Sequence, residues 1–176
     1  YTVVADEQTW EAMGRRIAKA LRSLGKVNEI IFKSPHASLS EVVNLKQKLV
    51  GATSVIAVGS GSVNDLCKHA TFQLGLRYSV FGTAASMNGY TSKTASMALE
   101  SGIKVSLPSH APAGFFADLK VSAEAPPYLA AAGFGDCLCR SVAQIDWWMS
   151  HRLFDTPYYE EPYLIEIPDE KELNSR

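Results

Sequence analysis

The sequence contains a glycine-rich turn that is typical of an anion-binding site. Residues 55–65, VIAVGSGSVND, place a buried-strand pattern directly before Gly59-Ser60-Gly61-Ser62 and a predicted helix. A helix start presents N–H groups without helical partners and a positive dipole end, and glycine lets a backbone approach a pyrophosphate closely. The segment predicts a phosphate or nucleotide site. An ordinary tight turn is the alternative, because Asn64 and Asp65 occupy the place of the third glycine of a GxGxxG spacing.

Two further polar features are compatible with such a site. Residues 83–92, TAASMNGYTS, follow a predicted strand, and their hydroxyls can bind the ribose or the phosphates of a nucleotide. Taken alone, these residues favour the alternative of a solvated Ser/Thr loop. Asp6 ends the first predicted strand, where an acidic residue can bind the adenosine ribose. A loop carboxylate without a ligand fits that position equally well.

The last chemical candidate is Asp136, which follows two glycines in the segment 133–136, GFGD. On its own the pattern predicts the N-cap of a helix, and a metal ligand is the alternative. One carboxylate cannot hold a divalent ion alone. Cys137 and Cys139 would point about 200° apart on a helix and would not share a metal, and the four histidines lack any ligand spacing.

Strand and helix patterns alternate through the first eighty residues. Apolar runs predict strands, and apolar residues at helical spacing predict the helices between them. The predicted strands are 1–5, 29–32, 53–58 and 78–81, and the predicted helices are 8–24, the segment behind a capping box at 38–41, and 64–74. Short connections of this kind imply parallel strands with right-handed crossovers, so the sequence predicts an α/β fold.

The pattern changes further along the chain. Residues 94–99 and 102–107 flank a turn and predict a hairpin, and 114–119 predicts another apolar strand. From residue 123 the sequence favours helices, the first opened by Pro126-Pro127. The next helix carries a stripe that we expect in a core, formed by Val142, Ile145, Trp148 and Met149.

We therefore divide the chain into an α/β part, residues 1–121, and the beginning of a helical part, residues 122–176. Residue 1 is Tyr rather than Met, and residues 170–176 form a tail without a closing element. Both features lead us to expect that the sequence is a piece of something longer.

The composition argues against several classes of partner. The chain has 176 residues, with 17 Lys and Arg against 18 Asp and Glu. A net charge of −1 without a basic stripe argues against nucleic acid and acidic membranes as partners. No apolar run reaches the ~18 residues of a membrane span. Three cysteines without a spaced framework fit a reduced, cytoplasmic protein.

The order of these motifs resembles a known family. GSGSVND before a helix is followed by TAASMNGYTS, then LPSHAPAGFFADL, then APPYLAAAGFGD and a tryptophan-bearing helix. This order is similar to the glycerol-1-phosphate dehydrogenase branch of the dehydroquinate synthase-like and iron-containing alcohol dehydrogenase superfamily. The resemblance extends from about residue 2 to residue 165. It implies a Rossmann-like NAD(P)-binding domain without its first βα unit, followed by a truncated all-helical domain with the active site between them.

The resemblance also implies an activity and roles for individual residues. The family interconverts sn-glycerol 1-phosphate and dihydroxyacetone phosphate with NAD or NADP and a divalent metal, usually zinc. Asn88 would contact the small phosphorylated polyol substrate, and Asp136 would act in catalysis as a metal ligand next to that substrate. The cofactor would be bound by the following residues: Asp6, Gly59, Ser60, Gly61, Ser62, Val63, Asp65, Thr83, Ala84, Ala85, Ser86 and Ser92.

Three departures from the family pattern bear on this expectation. Asn88 stands where the family usually has Asp, so it can bind a hydroxyl but cannot act as a base. Gly82 replaces a usual proline. The two metal-ligand histidines of the family are expected beyond residue 176, so we expect the chain alone to be inactive.

Several alternatives stay open at this point. One is a polyol or sugar-phosphate dehydrogenase on the same scaffold, and another is a cyclase that resembles dehydroquinate synthase. A non-catalytic nucleotide-binding fragment is the alternative outside enzymes. An acidic Asp6 would repel a 2′-phosphate, which favours NAD over NADP. A homo-oligomer is also possible.

Overall fold

In the computed structural model, a parallel sheet of five strands forms the centre of the fold. The structure describes the backbone of residues 1–174 and the side chains of that range, except those at positions 141, 166–167, 169–170 and 173–174. The strands are β1 (Thr2–Asp6), β2 (Asn28–Phe32), β3 (Ser54–Gly59), β4 (Arg77–Gly82) and β7 (Phe115–Ala117). Their order across the sheet is β2-β1-β3-β4-β7, and every neighbouring pair is parallel. The predicted α/β fold with a Rossmann-like parallel sheet is confirmed.

Helices and one hairpin connect these strands. The helices are α1 (Glu7–Thr9), a π-helical turn (Trp10–Gly14), α2 (Arg15–Leu21), α3 (Leu39–Lys48), α4 (Gly61–Leu74), α5 (Leu119–Glu124), α6 (Pro127–Leu138), α7 (Arg140–Phe154) and α8 (Glu161–Asn174). The hairpin pairs β5 (Thr94–Ala98) with β6 (Lys104–Pro108) in antiparallel register, as the sequence predicts. Within the described residues, no helix has both the length and the apolar character needed to cross a bilayer.

The three central strands β1, β3 and β4 are covered on both faces, which explains their apolar sequences. On one face, Val42 and Leu45 of α3 and Leu66 of α4 belong to a cluster with strand side chains such as Val55 and Val80. On the other face, the cluster contains Trp10, Met13 and Ala18 from the π-turn and α2, together with Val121 of α5. The boundary expected at residue 121 thus falls inside α5, whose Val121 packs with the sheet.

Three predicted helices differ from their sequence patterns in the structure. The single helix expected over 8–24 contains a π-turn, where a Cβ at Gly14 would lie 2.6 Å from a ring carbon of Trp10. Helix α4 starts at Gly61 instead of Asn64. At α3, Ser38 Oγ accepts the N–H of Glu41, but the Glu41 carboxylate completes no capping box within the described residues, where its buried Oε2 has no partner.

Three expectations for the second half need correction, and one segment without a prediction forms a helix. The strand expected over 114–119 is shorter, because the Asp118 carboxylate accepts the N–H groups of Lys120 and Val121 and starts α5. The three residues of the strand, Phe115–Ala117, are exposed. The segment 158–176, which carries few sequence signals, forms α8 over Glu161–Asn174; positions 175–176 lie outside the described residues. Asp136 is not an N-cap, because α6 runs through it to Leu138. The expected core stripe of α7 is exposed, with Val142 61% and Trp148 50% accessible.

Candidate functional site

The carboxyl ends of β1, β3 and β4 meet at one edge of the sheet. Helices α3 and α4 pack on one face and α2 on the other, so the crossovers change sides between β1 and β3. In open parallel sheets ligands bind outside the carboxyl ends of the strands at such a switch point. Asp6, Ser60 and Thr83 follow or end these three strands, so the sheet itself brings these predicted residues together.

The turn between β3 and α4 needs glycine at its first position. A Cβ on Gly59 would lie 2.8 Å from the Cβ of Val63, which is buried beneath the turn. Ser60 is the N-cap of α4; its carbonyl accepts the N–H of Asn64, and its side chain makes no capping bond. Thr83 N–H donates to the Gly59 carbonyl at 3.3 Å and joins the two loops. The fourteen-residue helix α4 therefore directs the positive end of its dipole at this edge.

Two cavities flank Ser60. The larger has a volume of about 370 Å³ and is lined by Asp6, Gln8, Thr9, Ala12, Ser60, Thr83, Ala84, Val121, Glu124, Ala125, Pro126, Tyr128 and Leu129. The smaller has about 180 Å³ and is lined by Asp6, Gln8, Lys33, Ser34, Pro35, Ser60, Ser62 and Val63. Because Asp6, Gln8 and Ser60 line both, an elongated ligand can cross the turn with one end in each cavity.

Asp6 has a local structural role at the mouth of both cavities. Its Oδ1 accepts the N–H of Thr9 at 2.7 Å, and its own N–H donates to the Thr9 hydroxyl, which completes a capping box for α1. The Thr9 hydroxyl also donates to the Val58 carbonyl at 2.9 Å. These bonds hold the Asp6 carboxylate through Oδ1 at a position that lines both cavities.

The loop 83–92 divides into a part at the larger cavity and a part that turns inward. Thr83 and Ala84 are buried and line that cavity. Ala85 is exposed, and Ser86 is half-buried near Tyr90, whose hydroxyl donates to the Ala84 carbonyl at 2.8 Å. Ser92 Oγ accepts from Lys68 Nζ of α4 and lies 2.9–3.0 Å from the carbonyls of Gly89 and Thr94, so the hydroxyl-rich loop is not uniformly solvated.

Lys68 is a residue that the sequence reasoning missed. It is fully buried, and its Nζ donates to the Gly89 carbonyl, Ser92 Oγ and the Thr94 carbonyl at 3.0–3.1 Å. Burial lowers the pKa of this ammonium, and the nearby Asp65 carboxylate opposes that shift. The three bonds tie α4 to both ends of the turn that follows Asn88. The Asp65–Lys68 spacing of three residues was the signal that could have indicated an ion pair on α4.

Asp65 faces the hairpin side of α4. Its carboxylate lies 3.6 Å from Lys68 Nζ and accepts the backbone N–H of Ser96 at 3.1 Å. Burial raises the pKa of this carboxyl, and the Lys68 charge opposes the increase. Asp65 lines neither of the two cavities. Its hydrogen bond to Ser96 instead joins α4 to the hairpin.

Asn88 and Asp136, which lie far apart in the sequence, are in direct contact. The backbone N–H of Asn88 donates to Asp136 Oδ2 at 2.8 Å. One turn earlier on α6, Gly133 lies so close to the loop that a Cβ there would be 1.9 Å from the Ala85 carbonyl oxygen. Helix α6 therefore docks on the loop through a bare backbone at Gly133 and a carboxylate at Asp136.

The described side chains do not by themselves fit a divalent metal. Among them, no group of three or more His, Cys, Asp or Glu is arranged to hold an ion. Asp136 offers one carboxylate, of which Oδ2 is bound to the Asn88 amide, whereas zinc sites take at least three protein ligands. The ligand role of Asp136 and the identity of the metal remain predictions.

Together the fold and the cleft define a Rossmann-like α/β protein with a polar site at the carboxyl edge of its sheet. The sequence model of the family described as "Iron-containing alcohol dehydrogenase" matches residues 1–126. The chain therefore belongs to this family, as its motif order indicates. In length it spans about two fifths of the curated relatives that it matches.

Several of those relatives carry one name. A glycerol-1-phosphate dehydrogenase [NAD(P)+] from Bacillus velezensis is 36% identical over 168 residues, covering 90% of this chain and 42% of the relative. The protein of the same name from Thermococcus kodakarensis is 34% identical over 161 residues, covering 90% and 45%. The predicted resemblance to this branch is confirmed at the level of sequence similarity.

Solved structures agree on the fold. Glycerol dehydrogenase from Schizosaccharomyces pombe is 26% identical, with a TM-score of 0.71 over 78% of this chain and 36% of that one. A 2-deoxy-scyllo-inosose synthase, complexed with carbaglucose-6-phosphate, NAD+ and Co2+, is 23% identical, with a TM-score of 0.70 over 78% and 41%. The second likeness is one of fold alone.

Proposed function

We propose that this chain is the dinucleotide-binding part of an NAD(P)-dependent oxidoreductase that interconverts sn-glycerol 1-phosphate and dihydroxyacetone phosphate. The observation that carries the proposal is the pair of cavities on either side of Ser60, at the start of α4. The name shared by the curated relatives supports the reaction and the substrate. A cytoplasmic location is part of the same proposal.

The proposed binding mode follows from the shape of the site. The pyrophosphate would lie over Ser60, Gly61 and Ser62, where the helix dipole and the N–H groups of the first turn favour negative charge. The adenosine half would occupy the smaller cavity beside Asp6. The nicotinamide half would enter the larger cavity, against Thr83 and Ala84.

The proposed chemistry needs little from the described residues beyond positioning. When bound, the nicotinamide supplies the hydride transfer itself. The exposed side-chain amide of Asn88 can hydrogen-bond a substrate hydroxyl, but it cannot take up the proton. The Asn88 backbone N–H donates to Asp136 and so would orient this carboxylate beside the loop proposed to contact the substrate. No step is assigned to a metal, because the described ligands do not complete a site for one.

A second candidate substrate is an unphosphorylated polyol. The residues that line the larger cavity include two carboxylates, Asp6 and Glu124, and no Lys or Arg. A substrate phosphate in that cavity would thus have no described cation as a partner. The similarity to a glycerol dehydrogenase structure also favours this candidate.

The proposal is tested by following NADH absorbance with the whole protein that contains this chain. Dihydroxyacetone phosphate should cause net NADH oxidation, and unphosphorylated dihydroxyacetone should be a much poorer substrate. Equal or better turnover of dihydroxyacetone would favour the polyol candidate. A cyclase returns its hydride, so NADH binding with no net absorbance change for any of these ketones would contradict a dehydrogenase.

A further inference from the structure

We propose that Lys33 determines whether this site accepts a coenzyme with a 2′-phosphate, an inference that rests on the dinucleotide site proposed above. Phe32 of β2 pairs in register with Asp6 of β1, and Lys33 is the next residue of the chain. Lys33 and Asp6 thus leave adjacent strands at the same edge. Both line the smaller cavity, where the adenosine ribose would bind.

The charges around this cavity balance. Its lining contains one carboxylate, Asp6, and one ammonium, Lys33, together with the hydroxyls of Ser34, Ser60 and Ser62. The Asp6 carboxylate alone would repel a 2′-phosphate, because two like charges at such short range disfavour binding. With Lys33 in the lining of the same cavity, the phosphate would have a cationic partner and hydroxyl donors.

The two coenzymes would use different residues of the same cavity. Oδ1 of Asp6 is occupied by the N–H of Thr9, so Oδ2 remains to accept the 2′-hydroxyl of NADH. NADH offers no group that needs Lys33. NADPH offers a phosphate that Lys33 and Ser34 can bind while Asp6 opposes it. Lys33 should therefore contribute to NADPH affinity selectively.

The test compares two charge-neutralising variants of the full chain by titration with NADH and with NADPH. Lys33→Gln should weaken NADPH binding by about tenfold, the lower end of what a hydrogen bond to a charged group contributes, and change NADH binding by less than about twofold. Lys26→Gln is the matched control. Lys26 is also exposed but lines a cavity at the opposite edge of the sheet, so it should change neither affinity.

A third variant tests the opposing charge. Asp6→Ser keeps a hydroxyl that can cap the Thr9 N–H and removes the carboxylate, so it should raise NADPH affinity relative to NADH. If both coenzymes bind the wild-type chain and Lys33→Gln weakens them equally or not at all, the inference is wrong and the dinucleotide site stands. If neither coenzyme binds the wild-type chain, the proposed site itself is wrong, and the inference falls with it.

Discussion

The close approach of α6 to the loop 83–88 gives a sharp prediction for two glycines of one helix. A Cβ added at Gly133 would lie 1.9 Å from the Ala85 carbonyl oxygen, 2.8 Å from the Ala85 carbonyl carbon and 3.2 Å from the Cα of Ser86. All three are backbone atoms, so no side-chain rotation relieves the contact. A Cβ at Gly135, two residues later, meets nothing within 4 Å.

The expected effects of Gly133→Ala and Gly135→Ala have opposite signs. In a helix interior, alanine is favoured over glycine by up to about 1 kcal/mol, and Gly135→Ala should gain that amount. Gly133→Ala gains the same propensity, but α6 and the loop must separate by about 1 Å, and overpacking of this kind costs about 1–3 kcal/mol or more. That separation also strains the Asn88–Asp136 hydrogen bond. We expect Gly133→Ala to be the less stable variant by roughly 1–3 kcal/mol.

Urea unfolding measures the free energy of unfolding of each variant, and hydrogen exchange shows which part of the structure is destabilised. The Asn88 amide, bound to Asp136 in the wild type, should exchange faster in Gly133→Ala and at the wild-type rate in Gly135→Ala. If both variants are equally stable and the Asn88 amide exchanges alike in each, α6 does not dock on the loop at Gly133, and the argument is refuted.

Three further predictions concern Lys68, Asp136 and His110. Lys68→Met should reduce the free energy of unfolding by about 3–5 kcal/mol, because it leaves Asp65 and three acceptors without their cation. Lys68→Arg should recover part of this loss. A Lys68→Met chain as stable as the wild type would contradict the role of the ammonium. Asp136→Asn should retain the bond from the Asn88 amide and most of the stability. If the proposed ligand role is right, the whole protein should lose its bound divalent metal and its turnover; unchanged turnover and metal content would exclude Asp136 as a ligand. His110 lies 2.9 Å from the Thr71 hydroxyl, and burial lowers the pKa of its imidazole, as it does for His69. The unfolded chain therefore takes up these protons first, and the free energy of unfolding should fall as pH drops through about 6.5. His110→Gln should flatten part of that slope in urea midpoints measured between pH 7 and 5, and an identical slope would show that His110 does not contribute.

Local patterns were sufficient to predict the sheet, the hairpin and the glycine turn. Strands such as β3 are buried on both faces, so their apolar runs are continuous, and helix starts such as Pro127 carry their own signals. The same reasoning placed Asp6, Ser60 and Thr83 at strand ends, where a parallel sheet necessarily brings them together.

Features that depend on distant partners could not be predicted. The acceptors of Lys68 lie 21 to 26 residues further along the chain, and no sequence pattern near Lys68 indicates them. The two glycines at 133 and 135 led the sequence analysis to predict a helix start. The actual reason for glycine at position 133 is the close approach of the Ala85 carbonyl, 48 residues earlier, which no local pattern indicates. Periodicity identified one face of α7 but not whether anything covers it, and that face is exposed.

The central claim, that a dinucleotide crosses the start of α4, is tested most directly by calorimetric titration of NADH into the wild-type chain and Ser60→Asp. Aspartate is a favourable N-cap, so the substitution preserves the helix while it adds a carboxylate where the pyrophosphate is proposed to lie. We predict that the wild type binds one NADH per chain and that Ser60→Asp loses this binding. Equal binding by both proteins, or none by a folded wild type, would contradict the claim.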